Sequence, residues 1–122
     1  MNKNMLILER YLQFCLKYPP EIKTNVMNGA GPQNKGYLVR DTLFYKFTVT
    51  EAANVHDFLY SQYAPSEVSR KEADDLFLRM MLDKLKKQNK MSQLLNKPLI
   101  YAYYAAVRVF GGSFYTKQKI DW

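Results

Sequence analysis

TVTEAANVHDFLYSQY, residues 48–63, places Val49, Ala52, Ala53, His56, Tyr60 and Tyr63 three or four positions apart, so on a helix they form one stripe. Thr48 followed three residues later by Glu51 has the spacing of a capping box, in which the hydroxyl and the carboxylate each accept from the other residue's amide. A helix over about 49–63 is therefore predicted, ended by Pro65 and Ser66. His56 breaks the apolar stripe. Ala53 three residues before it and Tyr60 four after it fix its direction, so its imidazole points inward toward whatever packs there.

Downstream, Ser69 and Glu72 form a second capping box, opening a helix to about Lys87 whose apolar face is Phe77, Leu78, Met81 and Leu85. Asp74 precedes those four at offsets of 3, 4, 7 and 11 and shares their face. Asp75 is rotated about 100° away and lies four before Arg79, the spacing of a solvent-side pair. A buried carboxylate is costly without a hydrogen-bonding partner, so Asp74 requires one on a facing helix, and His56 is the candidate. Asp57, one step round from His56, must point elsewhere, toward a glycine-rich loop upstream.

That loop is NVMNGAGPQNKG, Asn25 to Gly36, which holds three of the five glycines and a proline. Before it, residues 4–18 have helical spacing and are stopped by Pro19 and Pro20. After it, Arg40 to Phe47 can form a short extended segment. Pro98 suits the first turn of a further helix, LIYAYYAAVRVF, ending at Gly111 and Gly112, where glycine accepts a left-handed cap. The tail SFYTKQKIDW is aromatic enough to pack back. These elements make a mainly α protein, with residues 1–122 as a single domain.

Composition narrows the classes of function. The 48% apolar and 15% aromatic content of these 122 residues excludes a disordered chain, and no apolar run reaches the roughly 18 residues needed to span a bilayer. Glu9 and Arg10 interrupt any signal-peptide core, and Cys15 is the single cysteine, so cytoplasmic residence is the default expectation, with delivery outside the cell left open. A net charge of +7 suits an anionic partner. The basic residues are spread through Lys84 to Lys97, Lys117 and Lys119 with no arginine-rich helix, so no nucleic-acid partner is expected; a lipid-docking face and a solvated face both remain open.

The residues themselves admit two chemistries. A histidine that donates one ring nitrogen to a carboxylate is a general base, and Asp57 with loop carbonyls offers oxygen ligands to a hard cation, calcium above all. Equally, a lone inward histidine can be a satisfied structural group and an inward aspartate a helix bridge. The tyrosines of YAYYAAVRVF can be core or a protein-binding face.

In this order AANVHDFLYSQY, ADDLFLRMM and YAYYAAVRVFGG resemble the catalytic core of secreted phospholipase A2, and most of all short bacterial and phage-borne members of that superfamily. Those carry an Asn-Gly-Cys-Gly-Pro loop, an Ala-Cys-x-x-His-Asp helix and an aromatic Gly-Gly tail. The resemblance spans roughly residues 25–117. It implies two long antiparallel core helices carrying a His/Asp site, flanked by N-terminal and C-terminal helices and an irregular Gly-rich loop.

By the same resemblance His56 matches the general base, Asp74 its partner, Tyr60 a tyrosine bonded to that partner and Asp57 the calcium carboxylate. Aligning NGAGP with the calcium loop makes Gly29, Gly31 and Gln33 carbonyl ligands and the Gly31 amide the oxyanion donor. Ala30 and Ala53 stand where the family has a cysteine pair, and Gln33 where the classical enzymes often have glycine. The implied activity is calcium-dependent hydrolysis of glycerophospholipids at an anionic membrane surface. The alternative is a catalytically idle scaffold, a phage or mobile-element accessory protein that holds an anionic ligand or a protein partner; the sequence leaves the oligomeric state undetermined.

Overall fold

Asn2 starts the first helix, α1 (Lys3–Lys17), by accepting from the Met5 amide at 2.9 Å through its side-chain oxygen, which satisfies an amide that has no partner within the helix. The computed structural model describes residues 2–27 and 49–120, and these form five α-helices and one short 3-10 turn, with no strand among them. Pro19 and Pro20 stop α1 as expected, yet the same pair starts α2 (Pro20–Val26) with Pro20 at its first position. A proline there loses no hydrogen bond, because the first-turn amides are unpaired in any case. Asn25 and Val26 therefore belong to a helix rather than to the glycine-rich loop. Met27 closes that helix by donating its amide to the Lys23 carbonyl, and the loop from Asn28 to Gly36, the Arg40–Phe47 segment and Thr48 lie outside the described residues.

Helix α3 (Thr50–Tyr60) stops short of the expected Tyr63. Ser61 turns extended and its hydroxyl donates to the Phe58 carbonyl at 2.6 Å while accepting from the Tyr63 amide, a local closure that competes with another helical turn. Val49 precedes the helix without a side-chain cap bond. Helix α4 (Arg70–Leu85) opens with both halves of the Ser69–Glu72 box in place.

Helix α5 (Lys90–Phe110) begins eight residues before Pro98, contrary to the expected start. Its N-terminus is set by Asn89, whose side chain accepts from the Ser92 amide at 2.8 Å. Pro98 lies within the helix on an exposed face, where the carbonyl it leaves unbonded can meet water.

Glu51 faces Lys84 at one end of the α3–α4 pair and Tyr60 faces Arg70 at the other, so the two run antiparallel. Asp75 touching Tyr104 and Asp74 touching Arg108 make α4 and α5 antiparallel as well. Two apolar clusters flank α3. Ile7 and Phe14 of α1 meet Val55, Phe58 and Leu59 in one, with Phe14 and Phe58 rings 5.1 Å apart; Val49, Ala52, Ala53, Phe77, Met81, Leu85, Ile100 and Tyr103 form the other. Leu78 is only partly buried at its edge.

The tail packs back. After the 3-10 turn Gly111–Phe114, the Thr116 amide donates to the Tyr60 carbonyl and the Ile120 amide to that of Gln62, each at 2.8 Å. Lys119, read from sequence as part of a basic face, instead reaches the Leu59 and Ser61 carbonyls at 3.2 and 2.7 Å, and burial pulls its pKa down to about 8. Among the described residues no helix is long and apolar enough to cross a membrane.

Candidate functional site

Where α3 crosses α4, both contribute polar groups to an otherwise apolar seam. The His56 ring lies against Phe77 at 4.7 Å and Tyr60 at 4.2 Å between ring centroids, and its side chain is 6% exposed. Its Nε2 is 2.6 Å from Asp74 Oδ1. Since a carboxylate only accepts, the proton sits on Nε2 and donates to Asp74, which makes Nδ1 the basic nitrogen.

Asp74 is wholly buried. Its Oδ1 also accepts from the Tyr60 hydroxyl at 2.7 Å, while Oδ2 accepts from Arg108 Nη1 at 2.6 Å. Burial alone would raise this carboxyl. The hydrogen bonds from His56, Tyr60 and Arg108 together outweigh it and hold Asp74 below the ordinary carboxylate range. For His56, burial is the dominant effect and lowers its pKa; contact with Asp74 opposes it, and the Arg70 charge adds to the lowering. Tyr60 is raised, first by burial and then by Asp74.

Sequence reasoning missed the two arginines. Arg70 donates through Nε to the Tyr60 hydroxyl at 3.1 Å and through Nη2 to the Val107 and Arg108 carbonyls at 2.9 and 2.7 Å. It thereby caps the last turn of α5 and fixes where Arg108 starts. Arg70 was within reach of a pattern argument, because it lies four residues before Asp74 on the same stripe. Nothing in the local sequence announces Arg108, which comes from 34 residues away. Asp75 is also corrected: its partners are Lys71 at 2.7 Å and the Tyr104 hydroxyl at 2.7 Å, in place of the expected Arg79.

Gly111 has a reason other than the expected left-handed cap. Its φ is −73°, open to any residue, but a Cβ there would stand 2.6 Å from the Tyr60 hydroxyl. Only glycine lets the end of α5 approach the tyrosine so closely.

The structure brings His56, Tyr60 and Asp74 into one hydrogen-bonded group and buries Asp57 beside them on α3. Gly29, Gly31 and Gln33, the expected carbonyl ligands and oxyanion donor, lie outside the described residues. Among the described residues no three His, Cys, Asp or Glu side chains are grouped so as to hold a metal. Asp57 supplies one hard carboxylate donor, and oxygen donors of that kind fit calcium.

Residues 37–95, just under half of the chain, match the model of a family described as a protein of unknown function, DUF1353. The match takes in α3, α4 and the opening of α5, hence His56, Asp57, Tyr60 and Asp74 but neither Arg108 nor Gly111. No curated protein and no solved structure matches the chain.

Proposed function

We propose that the chain is a phospholipase A2-like ester hydrolase in which His56 activates water against a glycerophospholipid. One observation carries the proposal: a buried imidazole bonded through Nε2 to a buried carboxylate at 2.6 Å, with a second buried carboxylate on the next residue. Because Asp74 holds Nε2, Nδ1 is the nitrogen that takes a proton from water. The imidazolium formed at that moment is stabilised by Asp74, and Tyr60 keeps the carboxylate in line. The lowered His56 pKa keeps the ring in its neutral, proton-accepting form at neutral pH.

Asp57, with the carbonyls of Gly29, Gly31 and Gln33, would hold the calcium, whose chemistry when bound is to polarise an ester carbonyl and neutralise the developing oxyanion. The Gly31 amide would donate to the same oxygen. The test is fatty-acid release from phospholipid micelles with calcium or with chelator. Calcium-dependent release that falls about 100- to 10,000-fold in His56→Gln supports the proposal, in line with the usual size of a general-base contribution. Absence of release from the folded wild-type chain overturns it.

One observation favours the alternative, an idle scaffold holding an anionic ligand or a protein partner. Arg108 at 2.6 Å from Asp74 already neutralises the charge that would stabilise an imidazolium, so the cluster is satisfied without any reaction. A calcium titration followed by thermal shift separates the two. Stabilisation of wild type that vanishes in Asp57→Asn belongs to the hydrolase proposal, and no response in either belongs to the scaffold.

A further inference from the structure

Helix α5 is apolar on two opposite faces. Ile100 and Tyr103 point into the core, whereas Met91, Leu94, Leu95 and Leu99 are 64%, 72%, 65% and 46% exposed, and the same outer side continues to Val109 at 71%. At 1.5 Å per residue this row runs about 27 Å along the surface. Single exposed leucines are ordinary on a protein, but a contiguous row marks a site of interaction.

The charges around the row say what kind of surface it meets. Its sequence, KMSQLLNKPLIYAYYAAVRVF, contains no aspartate or glutamate. Lys90 and Lys97 are exposed along one edge, and Lys87 is exposed in the turn before the helix. The chain as a whole carries +7. A second copy seated here would bring lysine toward lysine, whereas an anionic lipid surface takes both features at once. The apolar row enters the boundary between headgroups and acyl chains, and the lysines extend their stems to the phosphates.

We propose that the outer face of α5 docks the protein on an anionic lipid surface, with the helix axis in the plane of the interface. The docking names the face that would meet the anionic membrane surface expected of the hydrolase, and because it uses no group of the His56 site it holds for an idle scaffold as well.

Co-sedimentation with vesicles of phosphatidylcholine alone, and of phosphatidylcholine mixed with phosphatidylglycerol, tests it. The wild-type chain is expected to sediment with the mixed vesicles and to bind the neutral ones more weakly. Each of Lys90→Gln and Lys97→Gln should weaken binding about fivefold. Leu94→Glu with Leu95→Glu should abolish it while leaving the melting curve in place, since both side chains are exposed. Equal binding to both vesicles, or binding unchanged by the two glutamates, overturns the proposal. So does light scattering that shows a dimer of the free chain reverting to monomer in the double-glutamate variant, which gives the face to a second copy.

Discussion

The two halves of the α3–α4 seam hold together by different physics. Toward Leu85 the seam is apolar: Val49, Ala52 and Ala53 face Phe77, Met81 and Leu85, and its stability comes from surface removed from water. Toward Arg70 it is a polar joint, in which His56, Tyr60 and Arg108 all converge on one buried carboxylate. The apolar half is tolerant because any well-shaped hydrocarbon fits it. The polar half is exacting, since Asp74, His56 and Tyr60 have surrendered water there and are worth their positions only while their partners remain. A protein that needed nothing but a stable helix pair would gain little from such a joint.

The largest effect should come from orphaning that joint. Asp74→Ala leaves three donors facing a void and is expected to cost about 3–5 kcal/mol by chemical denaturation. Replacing His56, Asp74 and Arg108 together by Leu, Leu and Met should cost less than Asp74→Ala alone. If the triple exchange proves costlier, the contrast between the halves fails. Phe77→Ala, in the apolar half, should cost a comparable 3–5 kcal/mol, but through an empty cavity.

Next in size is the approach of Gly111 to Tyr60. Gly111→Ala should destabilise by about 1–3 kcal/mol, because its methyl meets the hydroxyl. In a Tyr60→Phe background, which removes that oxygen, the same change should cost less, and a double-mutant cycle measures the coupling.

A smaller effect lies in pH. Burial lowers His56, so below its ordinary value of 6.5 the unfolded chain binds a proton that the folded chain resists, and stability falls as pH drops. His56→Gln should flatten that limb of a stability–pH curve. At lower pH the exposed Glu72 follows. Its bonds to Lys3 and Ser69 hold it at about 2 against 4.5, so its contribution is present above 4.5 and is lost as pH falls toward 2. Smallest of all, Lys71→Ala should leave the denaturation midpoint nearly unchanged, because its ion pair with Asp75 is exposed.

The helical class and the meeting of His56 with Asp74 were legible in the sequence because both rest on spacing. A polar residue on an apolar stripe must find a partner, and the two stripes face one another. Capping chemistry was legible where it is local, at Ser69 and Glu72. Pro98 misled because proline is read as a boundary, while an exposed helix face tolerates its missing amide. The start of α2 was missed for the converse reason, since the prolines that end one helix begin the next. Arg108 and the close approach at Gly111 depend on how α5 lies against α4, and no periodicity within either helix encodes that.

The strap formed by the tail also bears on synthesis. Four successive carbonyls at the exit of α3, from Leu59 to Gln62, find their acceptor roles filled by Thr116, Lys119 and Ile120. Those donors leave the ribosome more than fifty residues after the helix they close. The carbonyls at the end of the helix bearing His56 therefore wait for more than fifty further residues, and its exit closes only after α4 and α5 have been made.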